Sequence, residues 1–265
     1  MKAQIQVDNV SKIFQTEDGE IRALDGVSLE IEAGEFVCLL GPSGCGKSTL
    51  LDAIGGFAIP TSGSVVVDGK LVVSAGPDRG MVFQEYALFP WMTVEQNIRF
   101  GMELNKIPEA QIANKSAELL ALFKLTDFRR RFPKDLSGGM RQRVAIARVL
   151  ALDPPVLLMD EPFGALDALT RLTLQDELLK VWREFKKTIV FVTHGIDEAL
   201  YLADRIVVLT YRPGRLKKII KIDLPRPRDP ISPEFNKLKS EITELVMEEK
   251  KRETTAEFKN LASSK

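Results

Sequence analysis

The 265-residue sequence predicts an α/β fold built on a mainly parallel core sheet. Two patterns carry that expectation. Short, uninterrupted apolar runs, EFVCLL, PVLLMD and TIVFVT, have the length and branched content of strands buried on both faces. Between and around them lie segments with apolar residues at helical spacing, such as the amphipathic stretch from Leu172 to Phe185.

The opening reads as two strands, with Ile5, Val7 and Val10, and then Val27, Leu29 and Ile31, set against polar neighbours. EFVCLL follows as a buried parallel strand and enters GPSGCGKST. A helix containing Leu50, Leu51 and Ile54 comes next, and SVVVDG and RGMVFQ read as further strands. From about Thr93 to Phe132 the character changes to helical spacing, and Ile112, Leu119, Leu120 and Phe123 fall on one face, the mark of a helical insert. PVLLMD and TIVFVT resume the buried strands, and RIVVLT and the alternating stretch after Arg215 add more. Prolines 225, 227, 230 and 233 then interrupt regular pairing. Beyond them a charged helix is expected with Leu238, Ile242, Leu245 and Val246 on one face, and a frayed final dozen residues. The domain reading is a body at 1–225, with a helical subdomain inserted at about 93–150, and a Pro-rich linker with a helical extension at 226–265.

Bulk properties narrow the classes. Lys plus Arg and Asp plus Glu both number 37, so no global field favours nucleic acid or an anionic bilayer. Two cysteines, Cys38 and Cys45, make no disulfide framework and suit a reducing compartment. No apolar run approaches the roughly 18 residues of a membrane span, and the first ten residues lack the apolar block of a signal peptide. Work on a membrane would therefore require docking through a partner.

The chemistry concentrates in three places. Gly41 to Thr49 fits G-x-x-x-x-G-K-[ST], in which glycines let backbone amides turn inward around phosphate oxygens and the following helix points its positive end at the same anions. In that pattern Lys47 meets the β- and γ-phosphates and Ser48 ligates Mg²⁺. VLLMDE is a strand ending in two carboxylates. Next to a phosphate loop, Asp160 would hold the magnesium and Glu161 would polarise an attacking water, although an acidic strand end alone is a weak signal. His194, the only histidine, follows TIVFVT at the strand edge where nucleotides sit in open α/β sheets.

LSGGMRQRVAIARVL, with the phosphate loop before it and VLLMDEPFGALD after it, resembles the ABC ATPase family over about residues 3 to 225. The resemblance implies a P-loop NTPase fold of ABC type, with an antiparallel β subdomain and a helical insert on the core sheet. It implies ATP and Mg²⁺ as ligands. Residue by residue it implies a nucleotide cradle of Gly41, Pro42, Ser43, Gly44, Cys45, Gly46, Lys47, Ser48 and Thr49, with Phe14 stacking on adenine. Gln84 would contact magnesium and the water, Ser137, Gly138 and Gly139 would cap the γ-phosphate from a second subunit, Asp167 would link the two sites, and His194 would be the switch beside the γ-phosphate. Met140, Phe14 and Gly195 stand where the family more often has glutamine, tyrosine and aspartate. Ser137 also reads as a simple helix cap.

A second phosphate-binding helix start in one small domain makes sense if two copies sandwich two nucleotides head to tail. Tyr86, Phe89 and Trp91, after Gln84, read either as core packing or as an apolar groove for a short helix of a membrane partner. FPWMTVEQNI and TYRPGRLKKIIKIDLPRPR resemble the importer subgroup for nitrate, aliphatic sulfonates and taurine. That resemblance implies a peripheral motor on the cytoplasmic face of the membrane, with permease subunits and, indirectly, an external solute-binding protein. The competing classes are a soluble ABC ATPase without a transport role and a P-loop kinase. The roughly 90 residues between phosphate loop and signature are too few for the long coiled coil of repair and chromosome relatives, and a kinase leaves LSGG unexplained. Neutral charge argues against nucleic acid as a partner.

Overall fold

The computed structural model describes residues 3–17 and 19–263, with side chains described up to residue 256. In chain order the elements begin with β1 (Ala3–Thr16), β2 (Gly19–Glu32), β3 (Phe36–Leu40), α1 (Lys47–Gly55), β4 (Ser62–Val67), β5 (Lys70–Leu71) and β6 (Arg79–Val82). Next come α2 (Val94–Leu104), α3 (Glu109–Leu122), α4 (Gly138–Leu150), β7 (Val156–Asp160) and α5 (Ala168–Phe185). The chain closes with β8 (Thr188–Thr193), α6 (Ile196–Leu202), β9 (Arg205–Leu209), β10 (Leu216–Lys221) and α7 (Pro233–Ser263). They fall into two compact units, residues 1–76 with 188–265, and residues 77–187.

The first unit holds an antiparallel sheet in the order β2-β1-β4-β5. Ile5 and Val7 are buried on the usual period of two, but Val10 comes three residues on. A register shift in the β1/β2 ladder between Val7 and Val10 absorbs the extra residue and returns Val10 to the core face. In the same unit β3 pairs in parallel with both β8 and β9, and β10 closes antiparallel on β9. Every residue of β3 and β8 is buried, as their unbroken apolar runs require.

Helix α7 packs in this unit through a stripe two turns apart. Phe235, Ile242 and Glu249 are all at most 1% exposed, and Leu238 and Leu245 are half-buried beside them. Pro233 occupies the first helical position, where its missing amide costs nothing, and the Ser232 hydroxyl accepts from the Phe235 amide. Glu249 sits where the stripe asks for an apolar residue. It is held by Lys217 Nζ at 2.8 Å and the Tyr211 amide at 2.9 Å. Burial pushes its carboxyl up, but Lys217, the Tyr211 amide and Arg252 outweigh that and keep it below the usual carboxylate range. The helix continues to Ser263, so fraying from about residue 254 is not what the backbone shows; Ser264 and Lys265 lie outside the described residues.

The second unit pairs β6 with β7 in parallel and surrounds them with α2 to α5. Thr93 and Gln96 form a reciprocal capping box that starts α2. Ile112, Leu119, Leu120 and Phe123 are buried on one face of α3 and its cap, as their spacing predicts. Arg143 on α4 grips Glu177 on α5 with two bonds of 2.9 and 3.1 Å.

The Pro-rich segment is anchored by arginines. Arg228, 5% exposed, donates to the carbonyls of Leu200, Ala203, Ile222 and Leu224. Burial pulls its guanidinium down to about 10, with Arg226 adding repulsion. Arg228→Ala should cost about 3 kcal/mol, because those carbonyls lose their donor inside a dry site. Urea unfolding checks this; a loss below about 1 kcal/mol would show that water replaces the guanidinium without penalty.

Candidate functional site

The phosphate loop lies in the first unit, between buried β3 and α1. Helix α1 is entered through Gly46 at φ +94°, with Gly44 at +69°. A Cβ at Gly46 would sit 2.7 Å from Leu24 and 2.8 Å from the Ala23 carbonyl, so both backbone angle and space demand glycine. Having no side chain, Gly46 puts no cap over the first-turn amides, and that turn carries no acidic residue. Lys47, 6% exposed, donates to the carbonyls of Gly41 at 2.8 Å and Pro42 at 2.9 Å, which fixes its ammonium against the loop. Cys45 is buried and free, and burial pushes its thiol up although Lys47 draws it partly back. The sharp backbone turn thus sets one lysine and the uncapped first turn of α1 together at the end of β3.

Phe14 and His194 belong to the same unit. Phe14 is 41% exposed on β1, and Lys12 Nζ stands 5.2 Å from its ring centroid. His194 is exposed immediately after β8. The Thr193 hydroxyl holds the turn beyond it, donating to Glu198 at 2.5 Å and accepting from the Gly195 amide at 2.9 Å.

The second unit carries the remaining candidates. Asp160 ends β7, and Glu161 follows at φ +42°, a left-handed conformation that a glutamate adopts at a cost of about 1–2 kcal/mol. The Gly164 amide donates to the Glu161 carbonyl and closes the turn. Asp167 caps α5 by accepting from the Thr170 amide at 3.0 Å, and the hydrogen bonds from Thr170 hold its carboxyl below the usual range. Ser137 caps α4 by accepting from the Met140 amide at 3.3 Å. Gly139 is buried where a Cβ would stand 2.5 Å from the Thr170 methyl, so α4 and α5 approach too closely there for any side chain.

Gln84 is exposed at the start of the loop between β6 and α2. The loop after it is folded from within. Buried Asn97 accepts from the Phe89 amide and donates to the carbonyls of Phe89, Met92 and Thr93. Arg148 on α4 donates to the Ala87 carbonyl at 2.7 Å and lies over the Phe89 ring. Phe89 stacks at tilted angles on Trp91 and Phe100, while Trp91 is 69% exposed. The Tyr86 hydroxyl lies 3.2 Å from where a Gly138 Cβ would be, so the glutamine loop touches the start of the signature helix.

These parts can be compared with known proteins. Residues 24–164 match the family described as ABC transporter. The chain belongs to that family, as its ATP-binding subunit. An uncharacterized ABC transporter ATP-binding protein of Methanocaldococcus jannaschii is 52% identical over 94% of this chain and 93% of its own length. The aliphatic sulfonates import ATP-binding protein of Bacillus cereus is 44% identical over 90% and 94%. Among solved structures, a dimeric ATP-binding cassette in a post-hydrolysis state bound to ADP and Pi superposes with TM-score 0.74 at 34% identity, over 83% of this chain and all of that one. The ABC subunit is accordingly an ATPase whose hydrolysis drives transport. Among the described residues no helix is long and apolar enough to cross a membrane.

Asn97 and Arg148, which build the aromatic loop of this ABC subunit, were not singled out by sequence reasoning. A polar residue on the buried face of α2 and a cation beside the apolar face of α4 were the available signals. Gly46→Val should lower ATP affinity at least 100-fold and also lower the unfolding temperature, because the side chain is strained at φ +94° and presses on buried Leu24. Unaltered affinity by equilibrium dialysis would show that the loop tolerates a side chain there.

Proposed function

We propose that the ABC subunit is the motor of an importer for small solutes such as nitrate, sulfonates or taurine. It would work peripherally on the cytoplasmic face of the membrane as a head-to-tail dimer enclosing two ATP molecules. The observation that carries the dimer is a contrast among helix starts. Helices α2, α3, α6 and α7 place an acidic residue in their first turn, satisfying their own positive ends. Helices α1, α4 and α5 have none, but α5 is capped by the Asp167 carboxylate, whereas the caps of α1 and α4, Gly46 and Ser137, are uncharged. Two helix ends are thus left for anions, where one bound ATP needs only one. The cassette with ADP and Pi among the relatives is itself dimeric, and the sulfonate-import relatives span nine-tenths of this chain.

In this reading Gly41 to Thr49 hold the phosphates, Phe14 stacks on the adenine, and Ser137, Gly138 and Gly139 cap the γ-phosphate of the partner's nucleotide. Ser48, Gln84 and Asp160 offer a hydroxyl, an amide and a carboxylate, an all-oxygen set suited to Mg²⁺ arriving with the nucleotide. Bound there, the ion would neutralise charge developing on the β- and γ-oxygens. Glu161 takes up the proton of the attacking water, Lys47 and His194 stabilise the γ-phosphate as it leaves, and Asp167 links the two sites. The strained backbone at Glu161 supports its role, since such outliers cluster where a side chain must be aimed. The exposed Trp91 and the loop pinned by Asn97 and Arg148 form the surface offered to permease subunits, which in turn meet an external solute-binding protein. Residues 1–225 form the ATPase body and 226–265 its extension.

Glu161→Gln should bind ATP normally, hydrolyse it at least 100-fold more slowly, and accumulate as an ATP-dependent dimer in gel filtration. Adding Ser137→Arg should remove the dimer without changing ATP affinity; loss of affinity instead would place the signature on the subunit's own nucleotide. Gentle solubilisation of host membranes with the tagged subunit should copurify a multi-span permease in stoichiometric amount, and recovery of soluble proteins alone would sink the importer reading.

A further inference from the structure

The first unit contains an open cationic cleft of about 480 Å³, lined by Thr210, Tyr211, Arg212, Pro213, Arg215, Arg252 and Ala256, its three arginines exposed to solvent. No carboxylate lines it among the described residues. Arg215 is held from behind by Asp25, through Nε at 2.8 Å and Nη2 at 2.5 Å, and Arg252 by Glu249 at 3.2 Å. Those carboxylates are shared, Asp25 with Arg22 and Glu249 with Lys217, which also takes Glu248. Five cations therefore stand against three carboxylates, and Arg212 has no acidic partner among the described residues. Each guanidinium carries five donors, and these contacts use one or two of them.

The cavity wall is also the support of the phosphate loop. Arg212 Nε donates to the Gly44 carbonyl at 3.1 Å. Gly214 donates to the Ala23 carbonyl at 2.8 Å and packs so closely that a Cβ there would stand 2.2 Å from the Cys45 carbonyl. The segment is stiff, with Thr210 bonded to Pro213 and Arg215, and the Tyr211 amide ties it to Glu249 on α7.

We propose that Arg212, Arg215 and Arg252 form a second anion site for a small molecule bearing a tetrahedral oxyanion, phosphoryl or sulfur-centred, and that occupancy tunes ATP hydrolysis by moving Arg212 on Gly44. Guanidinium forks match such oxyanions with paired hydrogen bonds. The site is distinct from the nucleotide cradle, and its regulatory effect passes through the 209–214 wall that the two share.

Calorimetric titration with sulfate, methanesulfonate and pyrophosphate, at constant ionic strength, tests this on the full chain. The Lys47→Ala background silences the phosphate loop. At least one of these anions should still bind there, and adding R215Q and R252Q should weaken it at least tenfold; the preferred probe separates phosphoryl from sulfur-centred sources. Loss of all anion binding in Lys47→Ala alone, or unchanged binding in the arginine variants, would overturn the site. Arg252→Lys, which retains the charge facing Glu249 but not the fork, should weaken binding with little change in unfolding temperature. In the otherwise native chain R252Q should leave basal ATPase unchanged and abolish the response to the preferred anion. A response that persists in R252Q would overturn the coupling.

Discussion

A buried strand that runs into a helix presents side chains at the junction unless the backbone is forced over, and here the forcing rests on Gly46 at φ +94°. That turn starts α1 without a capping side chain and brings Lys47 back over the carbonyls of Gly41 and Pro42. It is supported because the residues beneath it are closely packed. Strand β3 is buried at each of its five residues, and Ala23, Leu24 and Gly214 pack against the loop from below.

The electrostatics follow the same economy. Helices α1 and α4 lack the acidic residues that the first turns of α2, α3, α6 and α7 possess, so their positive ends carry no carboxylate of their own. Asp167 instead places its carboxylate at the start of α5, which makes that helix self-sufficient. Tyr86 and Arg148 join the glutamine loop to the signature helix by short contacts inside one unit.

Much of this was legible from residue order, for identifiable reasons. β3, β7 and β8 were readable because strands covered on both faces cannot alternate, and α3 because Ile112, Leu119 and Leu120 share one face. The turn into α1 was readable because few residue types permit the positive φ of Gly44 and Gly46. What escaped were polar residues that work from inside. Glu249 occupies an apolar stripe position and is tolerated only because Lys217, 32 residues earlier, and the Tyr211 amide meet it. Asn97 and Arg228 likewise spend their donors on main-chain carbonyls, and main-chain partners leave no trace in a side-chain pattern. The long final helix was expected to end early because a charged sequence carries little apolar signal, yet its backbone runs to Ser263.

Cys45 lies inside the phosphate loop. A thiol in the middle of a nucleotide cradle would ordinarily be a chemical weak point, since thiolates are what electrophiles and peroxides attack. Burial raises this one's proton affinity more than Lys47 lowers it, and no solvent reaches its side chain. The loop therefore keeps a small, polarizable atom packed beneath Gly41 without presenting a thiolate to solvent.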